Sequence, residues 1–284
     1  ISPENAVTVR VGGPRALEAN GPGRYRGRLR ARVVRVARGG TPAIGGTDAE
    51  ARDLLAQEVF ATSGVWGQCG IHFGAPADLD VDVVDPPEGA LLEVGCGATL
   101  PASGGEITLS LSGETVRLKT SPGQTPESVA SKLAQLLEAR GHTTRRFLNA
   151  RAENRALSTV DLLVSDKKGK AARWSAEGTT PLSTDASLSV CIGSVNLEDG
   201  LDHFTDENAA SGTLEERTML RVLGDDDPKT IDWFVVPVFA GMGRIGESFI
   251  WSPGASIENA LILDRSGVRA GARLNSSTPS SSAP

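Results

Sequence analysis

Apolar and polar positions recur with two periods along this chain, and each period predicts one kind of element. Helical spacing is clearest over residues 48–68. The inward face of this helix consists of Leu55, Val59, Thr62, Trp66 and Cys69. Thr47 with Glu50 forms a capping box at its start, and Gly70 suits the left-handed position that ends a helix. The pattern therefore predicts a long helix near the N-terminus.

Strands are predicted on both sides of that helix. Apolar positions alternate over residues 28–37, with a change of phase at Val33 and Val34 that indicates a bulged strand. A second alternating stretch ends before Pro86 and carries Leu79, Val81 and Val83 on one face. The first part of the chain therefore predicts a β-α-β unit.

The middle of the chain has a different pattern. Alternating residues flank Ser112 and Gly113, a hairpin signal, and Thr125 and Gly141 suit the two ends of a helix. The predicted elements are a hairpin (106–111 and 115–119), a helix (126–140) and strands at 145–151, 158–165 and 171–175. The face of the helix consists of Val129, Ala130, Leu133, Leu136 and Leu137. These elements predict a small inserted α+β module over 97–190.

The last third returns to the character of the first. Thr213 with Glu216 forms a second capping box, before a short helix that ends at Gly224. Strands follow at 231–239, 245–251 and 260–263. The predicted fold class is α+β (α/β-like), a mixed sheet with a long N-terminal helix, interrupted by the inserted module. The predicted divisions are 1–96 and 191–274 for the main domain, 97–190 for the module, and 275–284 for a Ser/Thr/Pro linker or tail.

Composition narrows the class of protein. Three His and three Cys are too few for a zinc-finger array, a c-type haem protein or a disulfide-dense scaffold. No apolar run reaches the roughly 20 residues of a membrane helix, so no membrane span is predicted. Alternate arginines form one series: Arg24, Arg26, Arg28, Arg30 and Arg32. They suit either a nucleic-acid-binding stripe or the charged face of an edge strand. The net charge of −6 favours the edge strand and no nucleic-acid partner.

Few residues suggest chemistry. None of His72, His142 and His203 has another His four residues later, as a zinc hydrolase site normally requires. The acidic stretch 199–207 is interpreted as a surface loop rather than a calcium or zinc site. Residues 241–246 fit Gly-x-Gly-x-x-Gly, but a strand follows them, which predicts a turn. No catalytic residue and no metal ligand are therefore predicted.

The cysteines and the ends of the chain bear on its compartment. A disulfide between Cys69 and Cys96 is one hypothesis, with Cys191 free and buried, and three unpaired buried thiols are the other. The chain begins at Ile1, and its methionines are Met219 and Met242. We therefore expect a removed leader or a fragment of a longer product, and an extracellular or cell-surface location.

Two sequence stretches carry a resemblance to a known family. One is Val65-Trp66-Gly67-Gln68-Cys69-Gly70-Ile71-His72-Phe73, at the end of the long helix, and the other is Asn259-Ala260-Leu261-Ile262-Leu263-Asp264. With the order of elements over 28–87 and 213–274, they resemble the N-terminal subdomain of a metzincin-type zinc metalloprotease exported by bacteria. In that family a helix with His-Glu-x-x-His comes next, and it is absent here. The resemblance therefore gives the chain no catalytic residue, and it implies zinc only with such a helix downstream.

The same resemblance implies a binding surface. In such proteases a substrate peptide adds to the sheet edge as an antiparallel strand, and the matching residues are Gly246, Glu247, Ser248, Phe249 and Ile250. An ordinary sheet edge is the alternative. The expected partners are a peptide or protein, and a C-terminal segment of the same gene product.

The middle segment has a separate likeness. Its hairpin followed by Gly123–Ala130 resembles small α+β modules of bacterial flagellar and phage-tail proteins. Two hypotheses follow. The chain is a fragment or processed part of an exported bacterial zinc-metalloprotease-like protein and is not catalytic by itself. Alternatively, it is a non-catalytic structural or binding protein of a surface appendage, phage tail or other extracellular assembly.

Overall fold

The computed structural model of the protein describes residues 25–73, 79–96, 100–150, 154–166, 172, 174, 182–194, 212–225, 227, 229–239, 245–249 and 259–268. The first part contributes β1 (Tyr25–Arg26), β2 (Arg28–Val34), α1 (Asp48–Trp66), a 3₁₀ turn (Gly67–Cys69), β3 (Ile71–His72) and β4 (Leu79–Val84). The middle contributes β5 (Ala90–Val94), β6 (Gly105–Leu111), β7 (Glu114–Thr120), α2 (Pro126–Ala139), β8 (Thr143–Asn149), a 3₁₀ turn (Arg155–Leu157), β9 (Thr159–Ser165) and β10 (Val190–Ser194). The last part contributes α3 (Leu214–Leu223), β11 (Thr230–Val236), β12 (Gly246–Phe249), β13 (Ala260–Asp264) and a 3₁₀ turn (Arg265–Gly267). The α+β class is confirmed.

A five-stranded sheet in the order β12-β13-β11-β2-β4 is built from the two ends of the chain. β4, β2, β11 and β13 are parallel, and β12 is antiparallel to β13. The predicted β-α-β unit is therefore present, since β2 and β4 are parallel neighbours joined through α1. Neighbouring β1 and β3 form a separate parallel pair.

Helices cover both faces of this sheet. Leu29, Ala31 and Val33 pack in one core with α1, whereas Val34 packs in the opposite core with Met219 of α3. The register of β2 with both neighbours is continuous, so the predicted bulge is wrong. The change of phase arises because a parallel strand covered on both faces buries apolar residues on both.

Arg28, Arg30 and Arg32 lie on the α3 face of β2. Because β2 is an interior strand, the interpretation of these three arginines as the face of an edge strand is also wrong. Aspartates on neighbouring elements pair with these arginines. Arg28 lies 3.2 Å from Asp227, and Arg32 bonds Asp80. Arg30 lies 3.7 Å from Asp232. Arg24 and the side chain of Arg26 lie outside the described residues.

The long helix α1 begins as predicted and differs at its other end. The Thr47 hydroxyl accepts from the Glu50 N–H at 3.3 Å, and the Glu50 carboxylate accepts from the Thr47 N–H at 3.1 Å, which confirms the capping box. The buried residues are Ala51, Leu55, Val59 and Ser63. Trp66 is 48% exposed, so the predicted face is wrong there. The Phe73 N–H donates to the Ser63 hydroxyl at 2.8 Å, which turns Ser63 inward instead.

The middle of the chain forms a second sheet, in the antiparallel order β10-β5-β9-β8, with α2 and the predicted β6–β7 hairpin packed around it. The core of this segment includes Leu92, Leu109, Leu133 and Leu162, each fully buried. The division of the chain at residues 96 and 190 stays a prediction. The four-stranded sheet also includes β5, which precedes the first of these bounds, and β10, which begins at the second. Of the predicted strand 171–175, the structure describes residues 172 and 174.

Asp185 ties a loop of this segment to the hairpin. Its donors are the N–H and hydroxyl of Ser103, the N–H groups of Gly104, Ser187 and Leu188, and the hydroxyl of Thr120. Burial would raise the pKa of Asp185, but these hydrogen bonds outweigh burial and hold the pKa well below its usual range. The ionised carboxylate is therefore part of the fold.

The observed disulfide joins Cys96 and Cys191, with their Cα atoms 6.1 Å apart. The predicted pairing of Cys69 with Cys96 is therefore wrong, and so is the alternative of three buried thiols. β5 and β10 are antiparallel neighbours, with Val94 opposite Val190, and this register brings the ends of the two strands together. Cys69 is an exposed thiol in the 3₁₀ turn after α1, beside the other sheet.

Candidate functional site

The predicted binding strand is the outermost strand of the five-stranded sheet. β12 pairs with β13 on one side, from Gly246 opposite Leu263 to Phe249 opposite Ala260. Ser248 is exposed and Glu247 is half-buried. The side chain of Phe249 and the whole of Ile250 lie outside the described residues.

The register fixes which backbone groups of β12 point away from β13. The Asp264 N–H donates to the Ile245 carbonyl at 2.9 Å. Hydrogen-bonded and non-hydrogen-bonded pairs alternate along an antiparallel ladder. The backbone N–H and C=O of Glu247 therefore point towards β13. The backbone N–H and C=O of Ser248 point away from the sheet. Such an edge can accept an added strand.

The short helix α3 lies between the two sheets, which the sequence did not predict. Met219 and Leu220 pack with Phe234 of the five-stranded sheet. Leu214 and Val222 pack against the four-stranded sheet, around Leu91 and Leu163. Its charged residues are buried as well: Glu215, Glu216, Arg217 and Arg221. A helix with four charged residues among ten is therefore enclosed, and each charge needs a partner.

Asp161 on β9 is the centre of one set of partners and is fully buried. Arg217 donates to both of its oxygens, from Nε at 2.9 Å and from Nη2 at 3.0 Å. Arg221 donates from Nη1 at 3.0 Å. Charge-assisted pairs with two parallel bonds are among the stronger polar contacts in proteins. This cluster therefore joins α3 to the four-stranded sheet.

Neighbouring polar groups complete the cluster around Asp161. Arg221 donates to the Asn149 amide oxygen at 2.6 Å, and the Asn149 amide nitrogen donates to Asp161 at 2.9 Å. Glu93 lies 3.2 Å from Arg217 and accepts from the Thr159 hydroxyl at 3.1 Å. Burial raises the pKa of Glu93, and Arg217 opposes that rise. Two cations face two acids here, so the cluster is a structural connection more than an open ligand site.

The first turn of α3 carries a second carboxyl group of interest. The Glu216 N–H donates to the Thr213 hydroxyl at 3.2 Å, and the Thr213 N–H donates to Oε2 of Glu216 at 2.6 Å, which confirms the predicted capping box. Glu247 on β12 is near enough for its negative charge to act on the Glu216 carboxyl. Burial first, and then Glu247, raises the pKa of Glu216 to about 8. An acidic residue of the predicted binding strand therefore influences the first turn of α3.

A side chain of β2 binds the last turn of α3. Arg30 donates to the Leu223 carbonyl at 2.6 Å, where a cation also suits the negative end of the helix dipole. Asp232 lies beside Arg30, and burial, with a contribution from Asp225, raises its pKa to about 6. The alternate spacing of the arginines singled out Arg30 in the sequence, but only the fold shows that its partners are Leu223 and Asp232.

The other residues considered for chemistry do not converge. Within the described part of the chain, no group of three or more His, Cys, Asp or Glu is placed to hold a metal ion. The side chains of His72 and His203, the acidic loop 199–207 and the turn at 241–243 lie outside that part. Among the described residues, no helix is long and apolar enough to cross a membrane.

Comparison with models of known protein families and with curated proteins gives no match for this chain.

Proposed function

We propose that the chain is part of an exported bacterial zinc-metalloprotease-like protein, is not catalytic by itself, and binds an extended peptide along β12. The observation that carries this proposal is β12 itself, an antiparallel strand at the edge of an otherwise parallel sheet. The stretch that resembles the substrate-binding edge of such proteases is the one that takes this position. The Cys96–Cys191 disulfide supports export, because disulfides persist in oxidising compartments.

Binding would use the backbone groups of β12 that face away from β13. A peptide strand would pair with the outward N–H and C=O of Ser248, and the exposed Ser248 side chain would lie against it. Such backbone pairing recognises the extended conformation of a peptide more than its amino-acid sequence. The described residues include no ligand set for zinc, so no catalytic step is assigned to the chain.

The test is a pair of substitutions at one position. Ser248→Pro removes the outward N–H without removing a bond to β13, and proline is tolerated on edge strands. Ser248→Ala keeps that N–H and is the matched control. With a fluorescently labelled, reduced and carboxymethylated protein as the extended probe, we expect anisotropy to report binding by the parent chain and the alanine variant, and none by the proline variant. Equal binding by all three would refute the β12 proposal.

A non-catalytic role in an extracellular assembly is the second candidate. The middle segment favours it, because this segment has its own core and a disulfide at its base. Assays of the intact gene product distinguish the candidates. Peptide cleavage that a chelator abolishes and added zinc restores would support the protease-like protein. Assembly without such cleavage would support the structural role.

A further inference from the structure

The four-stranded sheet also ends in an outermost strand, β8 (Thr143–Asn149). β8 pairs with β9 on one side, where Phe147 lies opposite Asp161. Among the described residues, no strand pairs with its other side. Arg145 and Arg146, at the centre of β8, are both exposed. The middle segment therefore has an open sheet edge of its own.

The orientation of the β8 backbone follows from a hydrogen bond two strands away. The Gly95 N–H donates to the Ser189 carbonyl at 2.9 Å, one step beyond the opposite residues Val94 and Val190 of β5 and β10. Hydrogen-bonded and non-hydrogen-bonded pairs alternate along an antiparallel ladder. The backbone N–H and C=O of Val94 therefore point away from β10 and towards Val160 of β9.

The same alternation continues from β9 to β8. Asp161 follows the residue of β9 that bonds β5, so its backbone N–H and C=O point towards Phe147 of β8. The register of β8 with β9 is continuous. The backbone N–H and C=O groups of Thr144, Arg146 and Leu148 therefore point away from β9, to the open side.

The side chains of β8 give this edge a positive charge. The strand contains two arginines and no acidic residue. Arg145 lies opposite Leu163, on the face that packs with α3, and its Cζ is 5.3 Å from the centre of the Phe147 ring. Arg146 lies on the other face and donates from Nη1 to the Ser131 hydroxyl of α2 at 2.9 Å. Among the described residues, neither arginine forms an ion pair with an acid.

The acidic residues beside β8 lie near its start. Glu138, in the last turn of α2, accepts a hydrogen bond from the Thr144 hydroxyl. Asp166 follows β9, and its backbone carbonyl accepts from the Thr143 hydroxyl at 3.2 Å. The two arginines at the centre of the strand are therefore available to acids of a partner.

We propose that β8 is a site of strand addition, and that its partner is an extended segment of another protein with two consecutive acidic residues. The partner's backbone would pair with the outward groups of Thr144 and Arg146. Consecutive residues of a strand project to opposite faces, so two neighbouring acids would reach Arg145 and Arg146, one on each face. Charge on the edge would disfavour basic strands. The proposal does not depend on peptide binding by β12.

The probe is a fluorescently labelled peptide with the sequence Thr-Val-Thr-Glu-Glu-Thr-Val-Thr. Its matched control has glutamine in place of both glutamates. We expect anisotropy to show tighter binding of the glutamate peptide to the parent chain. An opposite-charge pair across strands contributes up to about fivefold in affinity, so Arg145→Ala/Arg146→Ala should weaken binding by up to about 25-fold. This double variant should no longer distinguish the two peptides.

A second pair of variants tests the backbone pairing. Thr144→Pro removes an outward N–H without removing a bond to β9, and proline is tolerated on edge strands. Thr144→Ala keeps that N–H and is the matched control, because both variants lose the bond to Glu138. We expect the alanine variant to bind the glutamate peptide and the proline variant to lose binding.

Hydrogen exchange in the parent chain tests the same contact without a substitution. The glutamate peptide should slow the exchange of the outward amides of Thr144, Arg146 and Leu148. The amides of Arg145 and Phe147 should change little, because they already bond β9.

Several outcomes would overturn the proposal. One is equal binding of the two peptides by the parent chain, and another is equal affinity of the two Thr144 variants for the glutamate peptide. Binding that Ser248→Pro abolishes would place the peptide on β12 instead. Binding of neither peptide would mean that the arginines only protect the edge from pairing.

Discussion

The Cys96–Cys191 disulfide gives the sharpest prediction for stability. The two cysteines are 95 residues apart in sequence, and the intervening segment includes the hairpin, α2 and two strands of the four-stranded sheet. We expect the double variant Cys96→Ser/Cys191→Ser to fold less stably, because the bond restricts the unfolded chain more than the folded one.

The magnitude follows from the length of the closed loop. The chain-entropy relation gives about 4.7 kcal/mol for a loop of this length, and loss of a native disulfide typically costs about 2–5 kcal/mol. In the folded state the bond adds little further order, because the register of β5 with β10 already holds the two strand ends together. A loss of several kcal/mol in the free energy of unfolding is therefore expected.

The assay is urea unfolding followed by circular dichroism, with and without a reducing agent. The parent chain should lose stability on reduction, and the double variant should show the lower stability in both conditions. Cys69→Ser is the matched control, because Cys69 is an exposed thiol and should not affect stability. An oxidised double variant as stable as the parent chain, or a large loss in Cys69→Ser, would refute the pairing.

Two further substitutions test the buried carboxylates. Asp161→Ala leaves Arg217 and Arg221 buried without their shared acceptor, so we expect a loss of about 3–5 kcal/mol in the free energy of unfolding. A loss below about 1 kcal/mol would mean that the cluster is open to water. Asp185→Ala removes the acceptor of Thr120 and should cost about 3 kcal/mol. Because the folded pKa of Asp185 is lowered, its contribution is present above pH 4 and is lost as pH falls further. Asp185→Asn should therefore flatten the acid limb of an unfolding profile, and an unchanged limb would contradict this account.

Local signals predicted most of the helices and strands of this fold, although they did not predict β5 and β10. Thr47 with Glu50 and Thr213 with Glu216 form the predicted capping boxes, and Ser112-Gly113 forms the predicted hairpin turn. Each signal acts within a few residues, where backbone geometry and side-chain hydrogen bonds decide the structure. The edge position of Gly246–Phe249 was also anticipated, although from a resemblance and not from local pattern.

The predictions that the structure contradicts share a different cause. The cysteine pairing and the position of β2 depend on which strands become neighbours, and residues far apart in sequence decide that. Spacing could detect the arginine series, but not Asp80 and Asp232, which neutralise it from β4 and β11. The exposure of Trp66 likewise follows from the contact between Ser63 and Phe73, which only the tertiary structure forms.

In α3, the periodicity of apolar residues does not predict correctly which faces of the helix are buried. An amphipathic pattern predicts one buried face, and Met219 with Leu220 supplies it. The opposite face is polar in sequence and yet is buried, because the four-stranded sheet presents Asp161 to it. Arginine suits this position, since its planar group can bond one carboxylate at two points. A shift of the middle segment relative to α3 would separate these charges in a buried setting, which is costly. The two sheets are therefore held in one arrangement, and a ligand or partner that moves the middle segment would also act on α3.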